Sequence, residues 1–296
     1  MKVIVHGTDA HSKGYIANCP SNEQIVAVCD NNWEQIGTVR GYKVISPERI
    51  PDIEFDSAII AIGHGPKEGL DAVFARHRQL NELGVDDARI ILHNHTYSGT
   101  ECKPKYKYPR VQYLYDFAEN VYEYQIEGAV AECGVYLGDY ASHINKAFPD
   151  RTLYLFDTFE NFAENPQLAQ EDARVQSYIS NTENRPAAYT HEDIAMLKCR
   201  FRDNVIIKKG LVPETFEGIN EDKFVYVHLD MDIYAPTIAG LRFFAPRMSK
   251  GGIIALHNMG RNDLFTGVRK AVNEFCNNKL TNAIPIGDGS SLVLLF

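Results

Sequence analysis

The stretch that decides the fold is the C-terminal run Ala283-Ile284-Pro285-Ile286-Gly287-Asp288-Gly289-Ser290-Ser291-Leu292-Val293-Leu294-Leu295-Phe296. It contains two apolar, strand-like segments, 283–286 and 292–296. Only the five residues Gly287 to Ser291 separate them. A parallel crossover needs about a dozen residues or more, so these two strands must form an antiparallel hairpin.

Five further apolar segments precede this hairpin, with helix-like stretches between them. They are Ala129–Cys133, Leu153–Phe156, Asn204–Lys208, Phe224–Leu229 and Gly252–Leu256. Runs this apolar are typical of parallel strands that are covered on both faces. Seven strands with intervening helices therefore predict an α/β fold with a doubly wound sheet that ends in the antiparallel hairpin.

A second α/β pattern occupies the first hundred residues. Strand-like runs at Lys2–His6, Gln24–Cys29, Ser57–Ile62 and Arg89–Leu92 alternate with helical patterns, which predicts a small Rossmann-like unit. The turn after its first strand, residues 7–14, lacks the glycines of a dinucleotide fingerprint and the residues of a Walker A loop. This turn either presents backbone N–H groups to an anion of a cofactor, or it serves as scaffold or as a docking site for a nucleotide sugar.

These patterns predict three regions of the chain. The first is an N-terminal Rossmann-like domain over residues 1–98, and the second is a polar linker over 99–109 that contains Pro104. The third is a larger domain over residues 110–296, which opens with an amphipathic helix.

Composition excludes several classes of function. Thirty basic and thirty-nine acidic residues give a net charge of −9 without a Lys/Arg cluster, so we expect no nucleic-acid partner. No apolar run reaches the roughly 18 residues of a membrane span, and the N-terminus does not resemble a signal peptide. We therefore expect a cytoplasmic protein without a membrane partner. The six cysteines form no C-x-x-C pair and are expected to be reduced thiols.

The first candidate for ligand binding is Glu132-Cys133-Gly134-Val135-Tyr136-Leu137-Gly138-Asp139, directly after the first strand of the larger domain. Glycine is expected where a ligand approaches the backbone closely, and the following helix N-terminus offers donors to a carboxylate. Glu132, Gly134 and Gly138 are therefore candidate cofactor-binding residues. A tight turn without a ligand is the alternative.

The second candidate follows the next strand, which ends in Asp157-Thr158. An acidic residue at the tip of the second strand, about 20 residues after the glycine turn, can accept hydrogen bonds from both ribose hydroxyls of an adenosine. Asp157 lies 19 residues beyond Gly138. We predict that Asp157 and Thr158 belong to the cofactor site, and a capping role for Asp157 is compatible with this.

Polar residues at the ends of the fourth and fifth strands are candidates for catalysis. Asp230 and Asp232 follow the fourth strand, where one carboxylate could face the ligands while the other caps the next helix. His257 and Asn258 follow the fifth strand. Asp230, His257 and Asn258 could together hold a divalent cation, or His257 and Asn258 could hydrogen-bond to loops. We predict that Asp230 and His257 are catalytic, each as a metal ligand or as a base.

These motifs together resemble the macrocin O-methyltransferases, a family of class I S-adenosylmethionine-dependent methyltransferases. The strings Leu-Phe-Asp-Thr-Phe-Glu at 155–160 and His-Leu-Asp-Met-Asp-Ile-Tyr at 228–234 are the most specific, and the resemblance extends over residues 110–296. It implies methyl transfer from S-adenosylmethionine to a hydroxyl of a sugar or glycoconjugate, a small-molecule acceptor. The N-terminal domain is similar to Rossmann-like units fused to surface-sugar enzymes.

The resemblance also implies a metal. Family members use magnesium bound by an aspartate at position 230 and by an acidic pair after the fifth strand, where this chain has His257-Asn258. Because imidazole is softer than carboxylate, manganese is expected to suit such a site as well as magnesium. The long segment 161–202 is predicted to cover the acceptor pocket. The acceptor and any homo-oligomeric state do not follow from the sequence.

Two other functions compete with this interpretation. A non-catalytic protein that binds S-adenosylmethionine would result if the altered metal site were inactive. An NAD-dependent sugar oxidoreductase built on the N-terminal unit is opposed by the missing glycines of residues 7–14.

Overall fold

A computed structural model describes residues 1–62, 68–93, 109–160, 167, 190–260, 265–277 and 282–296, and of residues 68–71 it describes only the backbone. The described residues divide into two compact units. The first contains the chain up to residue 93 together with Met196–Arg200. The second contains residues 109–160, Thr190–Ala195 and the chain from Phe201 onward. Most of the predicted linker lies outside the described residues, so the domain boundaries stay predictions.

The first unit is built on a six-stranded sheet. Its strands are β1 (Lys2–His6), β2 (Gln24–Cys29), β3 (Thr38–Val39), β4 (Tyr42–Ile45), β5 (Ser57–Ile60) and β6 (Ile90–Leu92), in the order β3-β4-β2-β1-β5-β6. All pairs are parallel except β3 with β4. Its helices are α1 (Ala10–Ala17), α2 (Trp33–Ile36) and α3 (Glu68–Glu82). The four predicted strands are confirmed, whereas the sequence interpretation missed β3 and β4.

The second unit contains the predicted seven-stranded sheet. Its strands are β7 (Ala129–Cys133), β8 (Leu153–Asp157), β9 (Val205–Lys209), β10 (Phe224–Leu229), β11 (Met248–Leu256), β12 (Ala283–Pro285) and β13 (Leu292–Leu295). The order is β12-β13-β11-β10-β7-β8-β9. Strand β13 is antiparallel to both β12 and β11, and the pairs from β11 to β9 are parallel. The C-terminal antiparallel hairpin is therefore confirmed.

Helices cover this sheet on both faces. They are α4 (Pro109–Glu123), α5 (Asp139–Ala147), α7 (Tyr234–Phe244) and α8 (Thr266–Phe275), and α6 (His191–Lys198) follows β8 in the chain. Apolar residues of α7 and α8 pack with Ala131 and Leu256 in the main core. Tyr140 and Phe148, in and just after α5, contact Tyr226 on the other face. Because strand side chains alternate between faces, Glu132 and His228 lie on this second face.

Helix α6 begins with a capping box formed by Thr190 and Asp193. The Thr190 hydroxyl donates to Asp193 Oδ2 at 2.8 Å, and the Asp193 N–H donates to Thr190 Oγ1 at 3.1 Å. Apart from residue 167 and this helix region, the predicted pocket cover at 161–202 lies outside the described residues. None of the helices that the structure describes is long and apolar enough to cross a bilayer.

Candidate active site

The predicted site residues lie at the carboxyl edge of the second sheet, at or directly after the ends of β7, β8, β10 and β11. Backbone hydrogen bonds continue the sheet ladder beyond the strand ends. They run from Gly134 N to Phe156 O (2.9 Å), from Asp230 N to Cys133 O (2.9 Å) and from His257 N to Leu229 O (3.1 Å). The sheet thus brings Gly134, Asp157, Asp230 and His257 to one edge.

Left-handed backbone is concentrated at the same edge. Four of the seven non-glycine residues with positive φ in the described ranges lie there, one after each of these four strands. They are Tyr136 (51°), Phe159 (50°), Asp232 (64°) and Asn258 (60°). Such residues cost about 1–3 kcal/mol each and cluster at functional sites. This strain independently marks the edge as the candidate site.

Close packing within the protein requires glycine at positions 134 and 138. A Cβ on Gly134 would lie 2.0 Å from the Asp230 carbonyl oxygen, and one on Gly138 would lie 2.6 Å from Ala195 Cα. Their φ angles of +86° and +74° also favour glycine. Close packing of the protein against itself is therefore enough to explain both residues. Their contact with a cofactor stays a prediction.

The N–H groups of this turn are largely used within the protein. Asp157 Oδ2 accepts from the N–H groups of Val135 (2.7 Å) and Tyr136 (2.9 Å), and Asp157 Oδ1 accepts from Phe159 N–H (2.8 Å). A carboxylate has about four lone-pair directions. The fourth donor is the Thr158 hydroxyl, which lies 3.5 Å from Oδ1, so a ribose hydroxyl would replace this long contact. The capping role of Asp157 is thus present, and its contact with the ribose hydroxyls stays a prediction.

Glu132 and His228 form a buried pair on the adjacent strands β7 and β10. Glu132 Oε1 lies 2.9 Å from His228 Nδ1, and both side chains are 2% exposed. Burial, with the Asp230 carboxylate second, raises the pKa of Glu132 well above its usual value. Burial, with Arg110 and His257 nearby, lowers the pKa of His228 well below its usual value. Burial therefore disfavours the charged form of each group in the pair.

The second carboxyl oxygen of Glu132, Oε2, is buried and has no hydrogen-bond partner among the described residues. A buried polar atom without a partner is rare in proteins and calls for a physical explanation. A bound cationic group would satisfy this oxygen, which fits the predicted cofactor role of Glu132.

Sequence reasoning missed Arg110, which pairs with Asp230. The Arg110 Nη1 atom lies 3.4 Å from Asp230 Oδ2, and the two side chains are only 19% and 21% exposed. The guanidinium also lies 5.0 Å from the ring centroid of Tyr140, whose hydroxyl bonds to Tyr226 at 2.7 Å. The only available signal was a basic residue at the start of a helix, where the macrodipole disfavours a cation.

Asp232 and Asn258 bond to each other. The Asn258 amide donates to Asp232 Oδ1, and burial, reinforced by Asp230, raises the pKa of Asp232 well above its usual value. Helix α7 has Ile233 at its N-cap without a side-chain cap. The expectation that one of the two aspartates caps this helix is therefore wrong, because Asp232 bonds to Asn258 instead.

The C-terminal hairpin loop holds His257. His257 Nδ1 lies 3.0 Å from Ser291 Oγ, and Asp288 Oδ1 accepts from the backbone N–H groups of Ser290 (2.9 Å) and Ser291 (2.6 Å). Partial burial opposes ionisation of Asp288, but these bonds hold its pKa below the usual value. When Nδ1–H donates to Ser291, the Nε2 atom of His257 carries a free lone pair.

The three predicted metal ligands do not form a cation site in this arrangement. Asp230 is paired with the Arg110 guanidinium. Asn258 bonds to Asp232 through its amide nitrogen and His257 bonds to Ser291 through Nδ1, so the donor atoms they leave, an amide oxygen and an imidazole nitrogen, are both uncharged. Among the described residues, no three His, Cys, Asp or Glu side chains group to hold a metal ion. The donor set therefore does not support the predicted magnesium or manganese site.

The sheet order, the antiparallel strand β13 inserted beside β11 and the site at the carboxyl edge define a class I methyltransferase fold. The chain belongs to the macrocin-O-methyltransferase (TylF) family, whose model matches residues 106–289. It is therefore an O-methyltransferase by family. A second model, described as C2185-like, N-terminal, matches residues 1–91. The Rossmann-like interpretation of the first unit stays a prediction.

Solved structures with similar folds include two O-methyltransferases. The O-methyltransferase NovP is 20% identical, over 63% of this chain and 79% of that chain, with a TM-score of 0.47. The calicheamicin methyltransferase CalS11 is 18% identical, over 79% of this chain and 95% of that chain, with a TM-score of 0.47. A search of curated protein sequences gave no match.

Proposed function

We propose that this chain transfers a methyl group from S-adenosylmethionine to a hydroxyl of a sugar, a nucleotide sugar or a glycosylated natural product. The observation that carries the proposal is the placement of His257 and Asp230 on adjacent strand ends within a domain of the macrocin-O-methyltransferase family. The sugar acceptor rests on the family, and the polar side chains at this edge suit a hydroxyl-bearing ligand.

The cofactor would lie across the ends of β7 and β8. Glu132 Oε2 suits the ammonium group of the methionine moiety, and Asp157 can accept from a ribose hydroxyl in place of its long contact with the Thr158 hydroxyl. Tyr136, an exposed aromatic residue on the same turn, offers a surface beside them. S-adenosylmethionine, when bound, supplies an electrophilic methyl group on a sulfonium.

The residues of this chain must orient the acceptor and take its proton. Methyl transfer is an in-line displacement, so most of the catalysis comes from holding the acceptor oxygen in near-attack geometry. An imidazole is the side chain most often used as a general base. His257 Nε2 takes this role, because Ser291 holds the other ring nitrogen.

The proposal is tested by measuring S-adenosylhomocysteine release from the full chain with a panel of nucleotide sugars and glycosides. We expect release that depends on the acceptor and on saturating S-adenosylmethionine. Binding of the cofactor by calorimetry without any acceptor-dependent release, over sugar and non-sugar alcohols alike, would favour the non-catalytic binding protein instead.

We expect Asp157→Ala to weaken S-adenosylmethionine binding by about 1.5–3 kcal/mol, since it removes a hydrogen bond to a charged acceptor and frees the N–H groups of Val135 and Tyr136. Calorimetry measures the change. Glu160→Ala, which removes an exposed carboxylate three residues later, is the matched control and should bind normally. Equal affinity of Asp157→Ala and wild type would contradict this placement of the cofactor.

Cofactor affinity is expected to rise with pH as long as the pH lies below the raised pKa of Glu132. In the free protein burial and the carboxylates of Asp230, Asp157 and Asp139 raise the pKa of Glu132, while Arg110 opposes them. A cationic ligand favours the ionised form and lowers that pKa, so binding releases a proton. Affinity then gains up to about tenfold per pH unit until the pH exceeds the raised pKa.

Calorimetry in two buffers of different ionisation enthalpy measures the released proton directly. Glu132→Gln, which keeps the hydrogen-bonding shape, should bind without proton release. Glu127→Gln is the control, because Glu127 precedes the same strand but is exposed and paired with Lys223. Proton release that persists in Glu132→Gln would assign the titration to another group.

A further inference from the structure

The position beside Asp230 already contains a cation. Arg110 lies 3.4 Å from Asp230 Oδ2, and both side chains are mostly buried. The guanidinium is further held over the Tyr140 ring at 5.0 Å. Arginine is the residue best suited to such a place, because its guanidinium is always charged, planar and weakly hydrated.

The position of Arg110 in its helix also needs an explanation. It is the second residue of α4, where the helix dipole is positive and the unpaired N–H groups favour an anion. A cation is therefore unfavourable there unless another group compensates. Asp230, which follows a strand 120 residues away in the chain, supplies that compensation.

The neighbours of Asp230 give a divalent cation little to bind. Asp232 bonds to the Asn258 amide, and His257 bonds to Ser291. A divalent ion at Asp230 would have to displace the guanidinium and would then find neutral imidazole and amide ligands. Magnesium prefers several oxygen ligands, carboxylates among them.

We propose that Arg110 is the resident cation of this site, a positioning residue that holds Asp230 and makes methyl transfer by this chain independent of divalent metal. The proposal has two halves. The catalytic half, that turnover needs Arg110 and no divalent metal, rests on the proposed function. The other half, that Arg110 blocks cation binding at Asp230, is a property of the protein without ligands.

The reaction balances without a metal. The acceptor oxygen forms a bond to the methyl carbon, and the carbon–sulfur bond breaks with its electron pair staying on sulfur, which yields S-adenosylhomocysteine. The hydroxyl proton passes to His257 Nε2. Arg110 touches none of the reacting atoms and acts by fixing the carboxylate of Asp230.

The first test is direct titration of the full chain with Mn²⁺, followed by electron paramagnetic resonance. We expect wild type to show no Mn²⁺ site in the micromolar range. Arg110→Ala should bind Mn²⁺ at least about tenfold more tightly, because Asp230 is freed. Arg242→Ala, which removes an exposed arginine paired with Glu274, is the matched control and should match wild type. Micromolar Mn²⁺ binding by wild type that Asp230→Asn abolishes would overturn the proposal.

The second test uses turnover. Wild-type turnover should be unchanged by a chelator and by added Mg²⁺, whereas kcat of Arg110→Ala should fall by about tenfold or more. Free guanidinium ions should restore part of that loss, and Arg110→Lys should lie between the two, which a merely structural role would not produce. A folded Arg110→Ala protein with full turnover, or loss of wild-type turnover on chelation, would refute the catalytic half.

The two tests separate failure of this inference from failure of the proposed function. If no acceptor yields turnover, the Mn²⁺ titration still decides whether Arg110 blocks the site. Should Arg110→Ala fail to fold, Arg110→Lys and Arg110→Gln carry the same titration, with tighter Mn²⁺ binding expected only for the uncharged Arg110→Gln.

Discussion

Replacing His257 with asparagine is expected to lower kcat by about 10²- to 10⁴-fold, the usual contribution of a general base, while S-adenosylmethionine binding stays unchanged. The asparagine can still bond to Ser291 but cannot accept the acceptor's proton. Single-turnover release of S-adenosylhomocysteine measures the first effect and calorimetry the second. Full turnover in the His257→Asn protein would show that the proton goes elsewhere.

A second pair of variants tests whether Ser291 orients the base, His257. Ser291→Ala removes the 3.0 Å contact that orients the imidazole, so turnover should fall less than in His257→Asn and its pH profile should shift. Ser290→Ala changes the neighbouring hydroxyl, which does not bond to His257, and should leave the pH profile as it is. Identical pH profiles for wild type, Ser291→Ala and Ser290→Ala would mean that the hairpin loop has no part in placing the base.

The Gly134→Ala substitution is expected to destabilise the second unit by about 3 kcal/mol or more. The added Cβ would lie 2.0 Å from the Asp230 carbonyl oxygen, a main-chain atom that cannot move without breaking the sheet edge. Overpacking costs about 1–3 kcal/mol, and left-handed backbone adds about 1–2 kcal/mol. Chemical denaturation measures the loss.

The hairpin offers a matched control for this substitution. Gly287 also has a positive φ, +95°, but nothing lies within 4 Å of its Cβ position. Gly287→Ala should therefore show only the backbone contribution of about 1–2 kcal/mol. Equal losses for Gly134→Ala and Gly287→Ala would mean that close approach to Asp230 is not the cause.

The strands that the sequence predicts best are those with continuous apolar runs. Ala129–Cys133 and Phe224–Leu229 agree residue for residue, because both faces of these central strands are buried. Tyr42–Ile45 was missed because it is short and its first two residues are exposed. Strand β11 begins at Met248, before the predicted Gly252, because its polar start carries no apolar pattern.

The site was predictable as a set of strand ends, but its contacts were not. Position after a parallel strand is enough to place Asp157, Asp230 and His257 at one edge, since the edge is a property of the topology. The bond between Arg110 and Asp230 joins residues 120 positions apart and leaves no local signature in either segment. At position 134 the sequence indicates that there is no room for a side chain. Only the fold shows that the carbonyl oxygen of Asp230 takes up that room.

The backbone bonds that run past the strand ends have a further consequence for ligand binding. Gly134, Asp230 and His257 donate their N–H groups to the sheet, so their positions belong to the same cooperative unit as the core. Ligands that bind these residues then meet a surface that is already ordered. The association loses little conformational entropy of the protein backbone, and the affinity reflects the contacts themselves.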